Sequence, residues 1–150
     1  QTLFQAMNIG HTTFSTLHAG NVSEAVSRLT HAPINVPPAM FAALRLMIIQ
    51  GLHYQEGKGV RRCLSLSELY VSGDEVKWTP LFEWNPLTDS VLGSIETSTV
   101  FASICTQNNW TKEELHRQIQ YRADELTRLA EGCHLSAEEI GRRLFEISGV

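Results

Sequence analysis

The stretch from Gly10 to Asn21 constrains the fold most, because it joins a β-prone run to a polar turn and then to a helical pattern. Residues 12–17 are mostly β-branched or aromatic, which predicts a buried strand. In an α/β protein, ligands collect where the carboxyl end of a strand leads into a helix. Four polar side chains are crowded at this junction: Ser15, Thr16, His18 and Asn21. Such crowding is typical of a functional loop, although a hydrogen-bonded structural histidine would also account for His18.

Helical patterns lie on both sides of this stretch. Residues 2–9 carry apolar side chains at helical spacing, and Gly10 predicts the end of that helix. Asn21 is an N-cap residue, with Glu24 three residues later as its capping-box partner. The apolar stripe of this second helix is Ala25, Val26 and Leu29.

The middle of the chain predicts β-hairpins. A run from Leu46 to Tyr54 passes through a glycine-rich turn at residues 55–59 into a second strand over Val60–Val71. A further hairpin is predicted from Val76 to Leu92, with its turn at residues 84–89. Alternation predicts two sets of side chains that each share a strand face: Arg62, Leu64 and Leu66, and then Trp78, Phe82 and Trp84.

The last third of the chain is predicted to be helical. Thr111 and Ser136 each open a helix with a glutamate three residues later, as in a capping box. The adjacent pair Cys133-His134 is typical of ordinary helix-end residues rather than of metal ligands, so no metal site is expected.

Composition excludes several functional classes. The formal net charge of −4 gives no electrostatic footprint for nucleic acid. Apolar runs such as Leu46 to Ile49 are far shorter than the roughly 20 residues that a membrane span needs. The three cysteines are isolated and odd in number, which favours reduced thiols over a disulfide framework.

A family resemblance rests on the same stretch. Gly10-His11, followed by Ser15-Thr16-Leu17-His18-Ala19-Gly20-Asn21, resembles the histidine box of the type II/type IV secretion ATPases. These are the hexameric motors of bacterial secretion, pilus assembly and the archaeal archaellum. The similarity continues in Pro33–Pro37, in Arg61-Arg62 and in a helical tail after Trp110, and the archaeal branch looks nearest.

The resemblance implies a catalytic role for His18, which would contact the γ-phosphate of ATP or the attacking water. Phosphate charge favours a protonated imidazole, so loss of the γ-phosphate would be sensed. Thr16, His11 and Asn21 would support the loop. Arg61 and Arg62 either face the nucleotide or a neighbouring subunit, or are ordinary surface cations.

The phosphate-binding motif of such a motor is missing. No Gly-x-x-x-x-Gly-Lys-Ser/Thr sequence occurs, and the acidic Walker B residues are absent as well. We therefore expect the chain to be the C-terminal portion of a longer ATPase, cut after Walker B, which by itself is inactive and binds no cofactor. ATP and Mg²⁺ would be bound by the longer protein. The expected fold class is α/β, with part of a RecA-like P-loop core and β-hairpins over residues 1–95 and a helical bundle over 96–150.

The implied function is to couple ATP hydrolysis to protein export or filament assembly. The implied partners are further subunits of a homo-oligomeric, hexameric ring and a membrane platform protein, at a cytoplasmic location peripheral to the cytoplasmic membrane.

Two other functional classes stay open. A non-hydrolytic assembly or regulatory module would explain the missing phosphate-binding elements. A DNA-transporting relative of the same superfamily is disfavoured by the net acidity of the chain.

Overall fold

The structure, a computed structural model, describes residues 2–55, 57–131 and 136–148. It is a mixed α/β protein that contains helices and a four-stranded antiparallel sheet. The chain divides into two compact units, Gln1–Val100 and Phe101–Val150. The predicted domain division after residue 95 stays a prediction.

The first unit is built from two helices, a 3₁₀ helix and the whole sheet. Each sheet neighbour is also a sequence neighbour, so the strand order is β1-β2-β3-β4 and every pair is antiparallel. The predicted hairpins are therefore confirmed. In chain order, the elements are α1 (Thr2–Asn8), α2 (Val22–Thr30), the 3₁₀ helix Pro38–Ala43, β1 (Leu46–Gln55), β2 (Lys58–Ser72), β3 (Glu75–Asn85) and β4 (Ser90–Gly93).

The buried face of the sheet carries the core of this unit. Leu69 of β2 is 1% exposed and lies opposite Trp78 of β3. The ring of Phe4 in α1 packs on the ring of Phe41 in the 3₁₀ helix, with 5.0 Å between their centroids. Helices α1 and α2 thus share one core with the sheet, whose buried members are Phe4, Val22, Val26, Val36, Phe41, Ile49 and Leu69.

Two one-residue insertions interrupt the regular alternation of the strands. Ile49 pairs with Ser65 and Gln50 with Cys63, so Leu64 of β2 is left between them. A Cβ atom added to Gly51 would lie 2.5 Å from Cδ1 of Leu64, so the missing side chain of Gly51 makes room for Leu64. The insertion at Leu64 interrupts the two-residue alternation from which Arg62, Leu64 and Leu66 were predicted to share one strand face.

The second insertion falls in β3. Leu66 pairs with Phe82 and Ser67 with Pro80, which leaves Leu81 between them. Gly93 of β4 lies so close that an added Cβ atom would be 2.0 Å from the carbonyl oxygen of Leu81. The predicted aromatic stripe is divided accordingly. Trp78 packs against the core, whereas the ring of Trp84 contacts His53.

A buried carboxylate connects β2 to the start of the next helix. Glu68 is 6% exposed and accepts hydrogen bonds from the hydroxyl groups of Ser98, at 2.5 Å, and Thr99. Burial raises the pKa of Glu68, but these hydrogen bonds and the Arg45 guanidinium outweigh it and lower the pKa overall. The charge is thus satisfied within the first unit.

The second unit is helical in its described residues. Helix α3 (Thr99–Asn108) begins at the end of the first unit and is followed by α4 (Lys112–Glu131) and α5 (Ala137–Ser148). The predicted caps are confirmed, because the hydroxyl groups of Thr111 and Ser136 accept the N–H groups of Glu114 and Glu139. The predicted helix end at Gly132 and the pair Cys133-His134 lie outside the described residues. No helix in the described ranges is both long and apolar enough to cross a membrane.

The prediction of a strand over residues 12–17 is wrong. The structure has neither helix nor strand from His11 to Ala19, and Phe14 is 94% exposed. A β-prone sequence forms a strand only where a partner strand takes up its N–H and C=O groups. Within the described residues all sheet pairing involves β1 to β4, so this stretch has no such partner.

Two phenylalanines of opposite burial test this core. Phe41 is 0% exposed, so Phe41→Ala should lower the free energy of unfolding by about 3–5 kcal/mol. Phe14→Ala is the matched control and should change it by less than about 0.5 kcal/mol. Urea denaturation followed by tryptophan fluorescence measures both. Equal effects of the two substitutions would contradict the placement of Phe14 outside the core.

Candidate functional site

The candidate site is the motif loop, defined here as residues 10–21. It connects the end of α1 to the start of α2. Both ends of the motif loop are fixed by backbone hydrogen bonds to the neighbouring helix, while its middle has no regular secondary structure.

A helix-terminating turn fixes the first end. The N–H of Gly10 donates to the carbonyl oxygen of Met7 at 3.0 Å, and the N–H of His11 donates to that of Ala6 at 3.1 Å. Gly10 has φ +97°, in the range that favours glycine. The chain therefore leaves α1 in a defined direction, as glycine-terminated helices do.

The predicted N-cap fixes the second end. Oδ1 of Asn21 accepts the N–H of Glu24 at 2.8 Å, and Oε2 of Glu24 accepts the N–H of Gly20 at 2.7 Å. The Gly20 N–H, and after it the Arg28 guanidinium, lower the pKa of Glu24. Glu24 is thus charged at the positive end of the α2 dipole, which favours this geometry. His18 lies two residues before this fixed point.

The implied sensing and supporting residues are presented to solvent. His11, Thr16 and His18 are all exposed. Within the described part of the chain, none of their side chains makes a hydrogen bond or an ion pair. The structure therefore gives His18 no structural partner that would account for it as a hydrogen-bonded core residue.

Thr13 differs from its neighbours in the motif loop. Its hydroxyl oxygen is buried and has no hydrogen-bond partner within the described ranges. Most buried polar groups in folded proteins are hydrogen-bonded, so an unpaired hydroxyl group calls for a reason.

The two arginines of the resemblance have different surroundings. Nε and Nη2 of Arg62 donate to the two carboxylate oxygens of Asp89 at 2.7 and 2.8 Å. The side chain of Arg61 is exposed and, in the part of the chain that the structure describes, has no such partner. No hydrogen bond or ion pair joins either arginine to the motif loop in these ranges.

Asp89 is the centre of a polar cluster that was not predicted from the sequence. Besides Arg62, Nε1 of Trp84 donates to it at 2.8 Å, and the rings of Trp84 and His53 lie 4.9 Å apart. The Arg62 guanidinium and then the Trp84 indole hold the pKa of the Asp89 carboxyl well below its usual range. The same pairing raises the pKa of Arg62. The available sequence signal was the predicted turn at residues 84–89, which brings Trp84 and Asp89 to one end of a hairpin.

The chemistry that these residues offer is that of positioning and hydrogen bonding. His18 can donate to or accept from a ligand beside the motif loop, and Arg61 can bind an anion. The described residues contain no group of three or more His, Cys, Asp or Glu side chains that could hold a metal ion.

Replacement of Asp89 tests the cluster through pH. Because folding lowers the pKa of Asp89, its stabilising contribution is present above the unfolded-state pKa of about 3.8 and is lost as the pH falls further. Asp89→Asn should therefore lower the melting temperature at pH 7. The difference in melting temperature from the unmodified chain should narrow steadily as the pH falls below about 4, the unfolded-state pKa of an aspartate. Thermal denaturation across this range measures it.

Asp74→Asn is the control for this experiment. Asp74 is exposed in the turn between β2 and β3 and has no hydrogen bond or ion pair in the described ranges. Its replacement should leave the pH profile unchanged. A constant gap between Asp89→Asn and the unmodified chain at every pH would contradict the role given to Asp89.

Three proteins of Methanocaldococcus jannaschii are similar to this chain. Uncharacterized protein MJ0900 is 40% identical over 89 residues, which are 57% of this chain and 16% of that protein. Uncharacterized protein MJ0781 is 37% identical over 120 residues, 76% of this chain and 16% of that protein. Uncharacterized protein MJ1287 is 30% identical over 130 residues, which are 85% of this chain and 48% of that protein. The chain thus spans less than half the length of these relatives, and no family model matches it.

Proposed function

We propose that this chain is the C-terminal part of a secretion or pilus-assembly ATPase of the type II/type IV secretion family. In the longer protein a RecA-like core binds ATP and Mg²⁺, and ATP hydrolysis drives protein export or filament assembly. The motor is a homo-oligomeric ring of hexameric type at the cytoplasmic side of a membrane, beside a platform protein. The observation that carries the proposal is the motif loop, whose sequence resembles the histidine box and whose His18 side chain is free to meet a ligand.

The geometry of the motif loop supports a sensing role for His18. A sensor must be accessible to the ligand and must be attached to a fixed framework, so that contact is made at a defined place. His18 is exposed and lies two residues before Gly20, whose N–H is bound by Glu24. Asn21 caps α2 at the same point. Thr16, in this proposal, orients the loop.

An exposed aromatic ring in the motif loop supports the presence of further polypeptide. Phe14 is 94% exposed, and an adjoining core would cover its side chain. The relatives are also longer than the chain, which spans 16% to 48% of them.

Arg61 is the better candidate of the two arginines for a contact with nucleotide or a neighbouring subunit. Arg62 already makes a bidentate pair with Asp89, and breaking that pair would leave a carboxylate without its partner. Arg61 carries no comparable interaction within the described residues.

The isolated 150-residue chain should not hydrolyse ATP. Phosphoryl transfer depends on positioning and charge stabilisation by a phosphate-binding loop and Mg²⁺, and the sequence contains no such loop. Phosphate release by the purified chain in the presence of Mg²⁺ and ATP measures this. Turnover that survives His18→Ala would contradict the proposal.

In the longer protein, His18→Ala should lower turnover by roughly 100-fold while nucleotide affinity stays nearly unchanged, because affinity comes mainly from the phosphate-binding loop. Thermal stability should barely change, since the side chain of His18 is exposed. Steady-state ATPase kinetics, nucleotide binding and melting temperature measure the three effects.

His11→Ala is the matched control, because His11 is an exposed histidine in the same loop. Its effect on turnover should be smaller. If His18→Ala unfolds the protein but the remaining folded fraction keeps normal activity, His18 is a structural residue. If the longer protein hydrolyses no ATP at all, the proposal of a motor is wrong, and the chain belongs to a non-hydrolytic assembly or regulatory module.

A further inference from the structure

The free edge of β1 lacks the features that protect sheet edges. β1 pairs with β2 on one side, and no described strand pairs with its other side. Natural proteins protect such edges with charges, proline, bulges or very short strands. The ten residues from Leu46 to Gln55 include no charge and no proline. The insertion at Leu64 belongs to β2, so β1 itself is regular.

The outward face of β1 is also apolar. Side chains alternate strictly along the strand between an inner and an outer face. Four apolar side chains of the outer face are exposed: Leu46 (36%), Ile48 (57%), Leu52 (56%) and Tyr54 (67%). Single exposed apolar residues are common, but a contiguous row along an open edge marks an interaction surface.

The opposite edge of the sheet is different. β4 has only four residues, Ser90–Gly93, and ends at Gly93, where the backbone lies against Leu81. A strand this short offers little backbone to a partner. The part of β3 that β4 does not pair with carries Glu75, Lys77 and Pro80, which protect an edge. The open edge of β1 is therefore the place where this sheet is most readily extended.

We propose that β1 pairs antiparallel with β1 of a second copy, about a two-fold axis that passes through Gln50 perpendicular to the sheet. Residues directly opposite each other in an antiparallel pair lie on the same face. Ile48 then meets the partner's Leu52, and Leu46 meets the partner's Tyr54. The two sheets join into one continuous sheet, independently of the ring proposed above.

The sequence of β1 fits a partner identical to itself. A two-fold interface uses the same surface on both copies, so that surface must be complementary to itself. On the outer face, apolar residues lie two and four positions on either side of Gln50, and no like charges meet. Gln50 faces its own copy, and an amide can both donate to and accept from another amide.

Sedimentation equilibrium of the 150-residue chain tests the association, and we expect a monomer–dimer equilibrium. Ile48→Lys places a charge opposite an apolar side chain and should weaken the dimer by more than about ten-fold. Val91→Lys is the matched control, because Val91 is 56% exposed, on β4, and its replacement should leave the dimer intact. Circular dichroism verifies that both variants fold.

Cysteine cross-linking tests the register in a background of Cys63→Ser, Cys105→Ser and Cys133→Ser. Gln50→Cys brings two thiols together, since Cβ atoms of directly opposite residues are about 4.5–5.5 Å apart and short movements allow a disulfide. Ile48→Cys alone should not cross-link, because residue 48 lies opposite residue 52 of the partner and not opposite residue 48. A mixture of the Ile48→Cys and Leu52→Cys chains should therefore cross-link.

Three results would overturn the proposal. The chain could stay monomeric at all concentrations. A dimer could be insensitive to Ile48→Lys, which would place its interface elsewhere. A dimer could form no cross-link through Gln50→Cys, which would exclude this two-fold axis.

Discussion

Burial of one face of the antiparallel sheet is the constraint on which the rest of the first unit depends. An antiparallel sheet can leave one face in water but must cover the other. Here Leu69 and Ile49 of the covered face meet Phe4 of α1, Phe41 of the 3₁₀ helix and Val26 of α2. Because these elements share one core, the positions of α1 and α2, and hence of both ends of the motif loop, follow from the packing on the sheet.

The two insertions in the sheet are each matched by a glycine on a neighbouring strand. Leu64 of β2 lies over Gly51 of β1, and the backbone of Leu81 in β3 lies against Gly93 of β4. An insertion bends a strand and increases its twist, so the neighbouring strand must give it room. A side chain at Gly93 would collide with backbone, whereas one at Gly51 would meet only the end of a leucine side chain.

The sequence predicted those parts of the fold that local chemistry decides. Asn21 with Glu24, Thr111 with Glu114 and Ser136 with Glu139 are short-range caps, and the structure contains all three. The hairpins were likewise visible, because turn residues and alternating apolar residues lie next to each other in the chain.

Features that depend on distant partners could not be predicted. Residues 12–17 have strand propensity but no partner strand within the described ranges. The insertions at Leu64 and Leu81 shift the strand register, and an alternation with a period of two residues does not predict such shifts. The pair between Arg62 and Asp89 joins residues 27 positions apart and depends on that register. For the candidate site, the sequence indicated its residues and its Asn21 cap, whereas the exposure of His18 required the packed structure.

The fixed ends of the motif loop have a consequence for local unfolding. Opening residues 12–18 breaks no strand pairing and exposes little of the core, whereas releasing either end requires Phe4 of α1 or Val26 of α2 to leave the core. Amide hydrogens in the middle of the loop can therefore exchange with solvent through small local fluctuations, while those of both flanking helices exchange only when the core opens. The loop can thus change conformation at a small free-energy cost and return to the same two anchor points.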